Sequence, residues 1–383
     1  MQKTGVFNMF KLSVSATVVF ICSMIALSIV AQDAGKKTLP KPFWTSDIME
    51  GESVLFIKES AETEPKAMLL FKPTKIISVQ NSAGNVTYAE GQDYVWKQDT
   101  REVILPPGSR ITFKTPQDLR RQPKSQQFTL PHRDGNGEIL FGAGHEYHDM
   151  QTMITYKHEP DAWTGPKPSF DASLLPRTLK KLQNKQEVTI AILGDSISTG
   201  AQSSGWAKVA PFQPPWQDLL VMNLEAEYGA KVILKNFAVS GTGSEWGLKN
   251  IGNVAASKPD LVILAFGMND ACGVQPDKYQ ANIKGMIDAV NKVQPEAEFI
   301  LIASMLGNKD WVGLNQGLFT AYREALAKLC KPGIAMADMT SMWTELLKYK
   351  KDWDMTGNGV NHPNDFGHRI YAQIISTLLI PNH

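Results

Sequence analysis

Two residues carry the side chains that nucleophilic catalysis needs. Ser196 follows Gly194 and Asp195, and His362 stands further along the chain, between Asn361 and a proline. A serine hydroxyl is a weak nucleophile until a base takes its proton, and the pKa of histidine suits that task near neutral pH. The sequence therefore predicts acyl transfer with Ser196 as nucleophile and His362 as general base, provided that the fold joins them.

Acyl transfer also requires hydrogen-bond donors for the oxyanion that forms on the attacked carbonyl group. We expect three donors: the backbone N–H groups of Ser196 and Gly241 and the side-chain amide of Asn269. Each would be worth about 3–4 kcal/mol in the transition state. Glycine suits such a position because a substrate can closely approach a backbone that carries no side chain. This chemistry needs neither a metal nor a cofactor.

The candidate residues follow segments with the pattern of buried strands. Five near-continuous apolar runs lie in the second half of the chain, at 188–193, 232–239, 261–266, 299–303 and 334–337. Helix-period segments separate them, including 216–228, 278–293 and 318–329. Strands that are apolar throughout and alternate with helices indicate a doubly wound parallel α/β sheet. Ligands bind beyond the carboxyl ends of such strands, so we expect the candidate residues to face one crevice.

The first half of the chain has a different pattern. Short β-type runs separated by turn residues lie at 53–57, 67–71, 75–79, 94–96, 102–105 and 110–113. Many short strands at regular spacing are typical of an all-β sandwich or jelly roll. A proline-rich stretch over 160–176 leads into the α/β half. We therefore predict a β-sandwich accessory domain at 40–165 and a catalytic domain at 175–383.

The amino terminus has the pattern of an export signal. Lys3 and Lys11 precede an apolar run over 12–30 that ends at Ala31. We expect a signal peptide at 1–31, a periplasmic or secreted protein, and no stable membrane insertion after the signal is removed. An uncleaved N-terminal anchor is the alternative, because the apolar run is long for a signal.

Charge and cysteine content exclude two further classes of protein. The formal net charge of +1 and the lack of a Lys/Arg cluster argue against a nucleic-acid partner. Signal removal leaves only Cys272 and Cys330, which are too few for a disulfide framework. Stability must therefore come from a hydrophobic core.

Four sequence blocks together resemble the SGNH, or GDSL-like, hydrolase family. Gly194–Ser198 resembles the first block, Gly241 the second, Gly267–Asp270 the third and His362 the last. The resemblance extends from about Val188 to the end of the chain. It implies a flavodoxin-like five-stranded sheet and metal-free hydrolysis of esters or thioesters. With the preceding β-rich domain, the arrangement is similar to carbohydrate esterases of acetylated polysaccharides, so we expect an acetylated glycan or another small ester as partner.

One position departs from the family pattern. The family commonly has Asp three residues before the catalytic histidine, where this chain has Gly359, preceded by Asn358. Either the acid has moved, with Asp354 as the nearest upstream carboxylate, or the site is a dyad. In a dyad, a backbone carbonyl or Asn361 would orient His362.

The other histidines have more ordinary interpretations. His368 lies in a helical pattern, where a core or capping role is expected. His145 and His148 have a spacing that would suit two metal ligands, but on a β-rich segment it directs them to opposite faces. We therefore expect both to make structural hydrogen bonds.

The aromatic residues after the nucleophile do not decide the substrate class. Trp206, Phe212 and Trp216 can either stack on sugar rings or pack as a lid. Two alternatives to a carbohydrate esterase remain. One is an esterase or thioesterase for lipid acyl chains, and the other is a glycan-binding protein whose catalytic module has lost activity.

Overall fold

The computed structural model describes residues 39–125 and 128–381. The predicted signal peptide, residues 1–31, lies outside these ranges. Within them, no helix is long and apolar enough to cross a membrane. Cys272 is exposed, Cys330 is half-buried, and both are free thiols.

The N-terminal region consists of short strands and one short helix. These are β1 (Ile48–Val54), β2 (Lys66–Met68), β3 (Lys75–Asn81), β4 (Val95–Trp96), β5 (Glu102–Ile104), β6 (Arg120–Arg121), β7 (Glu138–Ile139), α1 (Glu146–Met150) and β8 (Thr152–Lys157). They form antiparallel sheets with the orders β1-β8-β3, β2-β5-β4 and β6-β7. The expectation of an antiparallel β-rich region is confirmed. The run at 110–113 is not a strand, and α1 and β8 were not predicted.

The C-terminal region alternates strands with helices. Its elements are α2 (Pro176–Gln183), β9 (Val188–Gly194), α3 (Ser204–Ala207), α4 (Trp216–Tyr228), β10 (Val232–Asn236), α5 (Ser244–Ala256), β11 (Leu261–Ala265), α6 (Pro276–Val293), β12 (Glu298–Ala303), α7 (Gln316–Ala327), β13 (Ile334–Asp338), α8 (Met339–Leu346), α9 (Asp352–Met355) and α10 (Asp365–Thr377). Their strands form a parallel sheet in the order β10-β9-β11-β12-β13.

This five-stranded sheet confirms the predicted doubly wound α/β fold. The central strands β11 and β12 are buried at every position, since helices cover both faces of the sheet. The strand order places β9 beside both β10 and β11. The loops that follow these three neighbouring strands therefore leave the same edge of the sheet, where the candidate residues lie.

The two regions pack against each other over a shared core. Val54 and Tyr156 of the N-terminal region belong to the same buried apolar cluster as Ile190 and Trp343. Residues from Leu39 onward form one compact unit. The domain boundaries, 40–165 and 175–383, stay predictions.

A fully buried ion pair also joins the regions. Lys350 Nζ lies 2.5 Å from Glu52 Oε1, and neither side chain is exposed. Glu52 also accepts hydrogen bonds from the Leu70 backbone N–H (2.9 Å) and the Tyr156 hydroxyl (2.6 Å). Removing the N-terminal region would leave the Lys350 charge buried without a partner, which is strongly destabilising.

Candidate active site

The nucleophile candidate lies in a tight turn at the end of β9. Gly194 ends the strand, and a Cβ there would lie 2.6 Å from the Ala265 carbonyl oxygen of the adjacent strand β11. The buried Asp195 carboxylate accepts the Ile197 N–H (3.0 Å), and its carbonyl accepts the Ser198 N–H (3.1 Å). Burial raises the pKa of Asp195 to about 7. These bonds fix the turn that presents Ser196.

The fold joins the two predicted catalytic residues. His362 Nε2 lies 2.7 Å from Ser196 Oγ, although the two residues are 166 positions apart in the chain. Burial of the ring lowers the pKa of His362 to about 4, because a desolvated imidazole resists taking a charge. At neutral pH the ring is therefore uncharged, as a general base must be.

The group beside the other ring nitrogen is an amide. Asn358 Nδ2 lies 3.0 Å from His362 Nδ1 and 2.9 Å from Asn361 Oδ1. No carboxylate of the described residues forms an ion pair with His362. The residue beside Nδ1 is thus Asn358, four positions before the histidine.

Asp354, the expected displaced acid, lies elsewhere. Its Oδ1 accepts the Leu55 N–H (2.8 Å) and its Oδ2 accepts the Lys351 N–H (3.0 Å). Burial raises its pKa, and both oxygens are occupied by backbone donors. Asp354 therefore holds α9 to the N-terminal region, and the expectation that it orients His362 is wrong.

The three predicted oxyanion donors line the same cavity as Ser196 and His362. Gly241 has a φ of +77°, a left-handed conformation that favours glycine, and open space where a Cβ would stand. In the described part of the chain, the N–H groups of Ser196 and Gly241 have no hydrogen-bond acceptor. Asn269 Nδ2 donates to the Thr242 carbonyl (2.8 Å), which fixes the amide with its nitrogen near the Gly241 loop.

A buried carboxylate holds two of the donor loops together. Asp270 accepts hydrogen bonds from the Ser244 N–H (3.0 Å) and the Ser244 hydroxyl (2.6 Å). Ser244 opens α5 after the Gly241 loop, and Asp270 directly follows Asn269. Ser244 carries no sequence signal of this role, because one serine at a helix start has no distinguishing pattern.

The cavity above the serine has a volume of about 540 Å³. Its walls include residues from both regions: Phe128, Leu130, Phe141 and Ala143 from the N-terminal region, and Trp206, Trp311, Val360 and Asn361 from the C-terminal region. Trp206 is 44% exposed, so its ring can meet a ligand. The N-terminal wall residues lie in loops, and their sequence gave no signal of this role.

Comparison with known proteins agrees with this geometry. Residues 192–370 match the GDSL-like lipase/acylhydrolase family. This part of the chain is therefore similar to that family. No curated protein matches the chain by sequence.

Three solved structures are similar to parts of this chain. A two-domain esterase active on acetylated mannans is 20% identical with a TM-score of 0.44, over 55% of this chain and 54% of that one. An acetylxylan esterase from Geobacillus stearothermophilus is 18% identical, with a TM-score of 0.39, over 49% of this chain and 92% of that one. A carbohydrate esterase family 3 enzyme from Talaromyces cellulolyticus is 18% identical, with a TM-score of 0.39, over 49% of this chain and 94% of that one.

The remaining histidines of the chain make structural contacts. His368 is fully buried, with Nδ1 3.3 Å from the Trp216 N–H and Nε2 3.1 Å from the Ala201 carbonyl, as its predicted core role requires. His148 Nε2 lies 2.7 Å from the Ala210 carbonyl, and His145 Nδ1 lies 2.7 Å from Asp149 Oδ2. The hydrogen-bonding prediction is confirmed.

The expectation that His145 and His148 lie on a β-strand is wrong. His148 lies within the short helix α1 and His145 directly precedes it, so neither belongs to a strand. Among the described residues, no group of three or more His, Cys, Asp or Glu side chains could hold a metal ion.

The aromatic residues after the nucleophile have different roles. Trp206 lines the cavity, whereas Trp216 is fully buried and donates its Nε1–H to the Ile197 carbonyl (3.1 Å). Trp216 therefore supports the nucleophile turn from behind and does not meet substrate. Phe212 is 61% exposed and does not line the cavity.

Proposed function

We propose that this protein is an exported serine esterase that removes acetyl groups from carbohydrates through an acyl-enzyme. The observation that carries the proposal is the 2.7 Å contact between Ser196 Oγ and His362 Nε2 in an open cavity lined by three oxyanion donors. Such a constellation fits acyl transfer, because nucleophile, base and oxyanion donors converge on one point. Export rests on the N-terminal sequence pattern alone.

The reaction follows from this geometry in two halves. Ser196 Oγ attacks the ester carbonyl carbon while its proton passes to His362 Nε2. The carbonyl oxygen becomes an oxyanion facing the N–H groups of Ser196 and Gly241 and the Asn269 amide, which need no rearrangement to receive it. The intermediate then expels the sugar hydroxyl, which takes the proton from His362 and leaves acetyl-Ser196.

Water completes the cycle by the same route. His362 takes a proton from a water molecule that attacks acetyl-Ser196, and the same donors stabilise the second oxyanion. Expulsion of Ser196 Oγ, which regains its proton from His362, releases acetate. No metal or cofactor takes part in either half.

The cavity lining supports a sugar as the alcohol part of the ester. Exposed aromatic rings suit stacking against sugar faces, and Trp206 and Trp311 both border the cavity. The amides of Gln202 and Asn361 stand among them and can hydrogen-bond to hydroxyl groups. A few polar groups among apolar walls are typical of sites that orient a small ligand.

The same cavity also supports a second candidate, a medium-chain acyl ester. Its volume and the apolar side chains of Phe128, Leu130 and Phe141 would accept a longer acyl chain. Hydrolysis of acetyl and octanoyl esters with one chromogenic leaving group separates the candidates. The carbohydrate proposal predicts that acetyl is preferred and that acetate is released from an O-acetylated glycan. A clear preference for octanoyl would favour the lipid candidate.

A further inference from the structure

The orientation of the Asn358 side chain is fixed by its neighbours. Asn358 Oδ1 accepts three backbone N–H groups, from Val360 (3.0 Å), Asn361 (3.0 Å) and His362 (3.2 Å). Rotating the amide by half a turn would set its NH₂ group against these three donors. The amide nitrogen is therefore the atom that faces His362 Nδ1, at 3.0 Å.

This orientation decides where the histidine proton resides. An amide NH₂ only donates, so His362 Nδ1 must accept and carries no hydrogen. A neutral imidazole has one N–H, which is then at Nε2, beside Ser196 Oγ. We propose that Asn358 holds resting His362 in the Nε2–H tautomer. In this state Nε2 cannot accept the Ser196 proton, so the activity is low.

The inference rests on the proposed function for its consequence in catalysis. To act as base, His362 must first lose the Nε2 proton and take one at Nδ1. That Nδ1–H group then points at the N–H groups of Asn358, as does the Nδ1–H of the imidazolium formed after proton transfer. In a Ser-His-Asp hydrolase, replacing the carboxylate at this place by an amide lowers kcat about 10⁴-fold.

Asn358 cannot easily turn away to relieve this conflict. The residue is fully buried, and its carbonyl accepts the Gly142 N–H (3.0 Å) from the N-terminal region. Asn308 holds the next turn of the loop through bonds to the Gly359 and Val360 carbonyls (2.9 and 2.7 Å). The amide is thus a fixed positioning group, clamped by both regions.

The usual position of the acid is closed in this chain. Gly359 has a φ of +79°, and a Cβ there would overlap the Tyr147 hydroxyl and lie 2.7 Å from the Leu140 carbonyl oxygen. No acidic side chain fits at 359 without displacing the N-terminal region. Position 358, whose side chain already lies beside His362 Nδ1, can hold the carboxylate instead.

Asn358→Asp should convert the loop into a working triad. One carboxylate oxygen keeps the three backbone N–H donors, and the other accepts Nδ1–H of His362. The matched control is Asn361→Asp, which brings the same charge to the neighbouring side chain but leaves the Asn358 amide on Nδ1. Only Asn358→Asp replaces the hydrogen-bond donor beside His362 Nδ1 by an acceptor.

The direct test is ¹⁵N NMR of histidine in the full chain, with His362→Gln used to assign the His362 signals. We expect Nε2–H in the wild type and in Asn361→Asp, and Nδ1–H in Asn358→Asp. A wild-type Nδ1–H signal would overturn the inference. This measurement requires no substrate, so it tests the tautomer independently of the proposed function.

Steady-state kinetics provides a second test of the inference. With a chromogenic acetyl ester, kcat of Asn358→Asp should rise at least about tenfold over wild type. The kinetic control is Asn315→Asp, the same amide-to-carboxylate change at the exposed N-cap of α7 outside the cavity, and its kcat should change by less than about threefold. An equal gain in both variants, or a folded Asn358→Asp with reversed tautomer and lower kcat, would contradict the link to activity. Reversal of the tautomer with no hydrolysis by any variant would contradict the proposed function and leave the tautomer assignment intact.

Discussion

The oxyanion side and the histidine side of the site are built differently. The donors of Ser196, Gly241 and Asn269 lie on loops that follow adjacent strands of one parallel sheet, and the bond from Asn269 to the Thr242 carbonyl stays within the C-terminal region. The loop that carries His362 is instead anchored to the N-terminal region. Asp354 binds the Leu55 backbone before this loop, and Gly142 binds Asn358 within it.

The difference shows which half of the chemistry each region controls. The sheet edge fixes oxyanion stabilisation, and the first three of the four sequence blocks contain its donors. The N-terminal region shapes the base, because Tyr147 keeps position 359 free of a side chain and the Gly142 N–H holds the backbone carbonyl of Asn358. Changes on the two sides should therefore have separable effects on stability and kinetics.

The largest expected effect is on stability and concerns the anchor between the regions. Glu52→Gln would leave Lys350 charged and fully buried beside a neutral amide, so unfolding free energy should fall by about 3–5 kcal/mol. Lys249→Ala, which breaks an exposed pair with Glu245, should leave it nearly unchanged. Urea unfolding of both variants measures the comparison. Similar values for the two would show that the buried pair does not hold the regions together.

The next effect concerns the oxyanion side alone. Asn269→Ala should lower kcat about 10²–10³-fold, because one preorganised donor is lost while the sheet is unchanged. Steady-state kinetics with an acetyl ester, alongside circular dichroism, provides the measurement. A rise in KM with unchanged kcat would instead make Asn269 a residue that binds the ground state.

The pH profile reports on the histidine side. Only neutral His362 is a base, and its lowered pKa of about 4 keeps it neutral down to that pH. The wild-type kcat/KM should therefore fall only as the pH drops through about 4. His368 interacts electrostatically with His362. Its pKa is similarly lowered by burial, so it stays neutral over the same pH range.

A carboxylate beside the ring should move this profile. In Asn358→Asp the new charge favours the imidazolium, so the acid limb should shift upward by about 1–3 pH units. An acid limb near pH 6.5 in the wild type would show that the ring is not desolvated as the structure indicates.

The smallest effect concerns the cavity wall. Trp206→Ala should raise KM for an acetylated glycan several-fold and leave kcat for a small acetyl ester nearly unchanged, because only the glycan needs the exposed ring. Phe212→Ala removes a comparably exposed ring outside the cavity and is the control. Equal responses of the two variants would exclude a stacking role for Trp206.

The sequence predicted the α/β region closely because its signals are local. Continuous apolar runs identified all five strands of the sheet, and the predicted helix at 216–228 coincides with α4. The Ser196–His362 pair followed from strand-end geometry and the family blocks. These features depend on periodicity within short windows, which a single sequence contains.

The N-terminal region and the base loop depend on contacts between distant residues. Strand β1 pairs with β8, about a hundred positions later, and β8 had no recognised pattern. Asp354 is one of two sequence alternatives for orienting His362 because it is the nearest upstream carboxylate, but its carboxylate binds the Leu55 and Lys351 N–H groups. Spacing alone could not show that the fold would turn Asp354 away and bring Asn358 to the ring.

Trapping of the acyl-enzyme tests the central claim most directly. Rapid quenching of a chromogenic acetyl ester reaction, followed by peptide mass spectrometry, should show one acetyl group on Ser196 and none in Ser196→Ala. That variant should keep the wild-type circular dichroism spectrum and melting temperature while losing hydrolysis. An acetyl group on another residue, or continued turnover by folded Ser196→Ala, would contradict the assignment of Ser196 as the nucleophile.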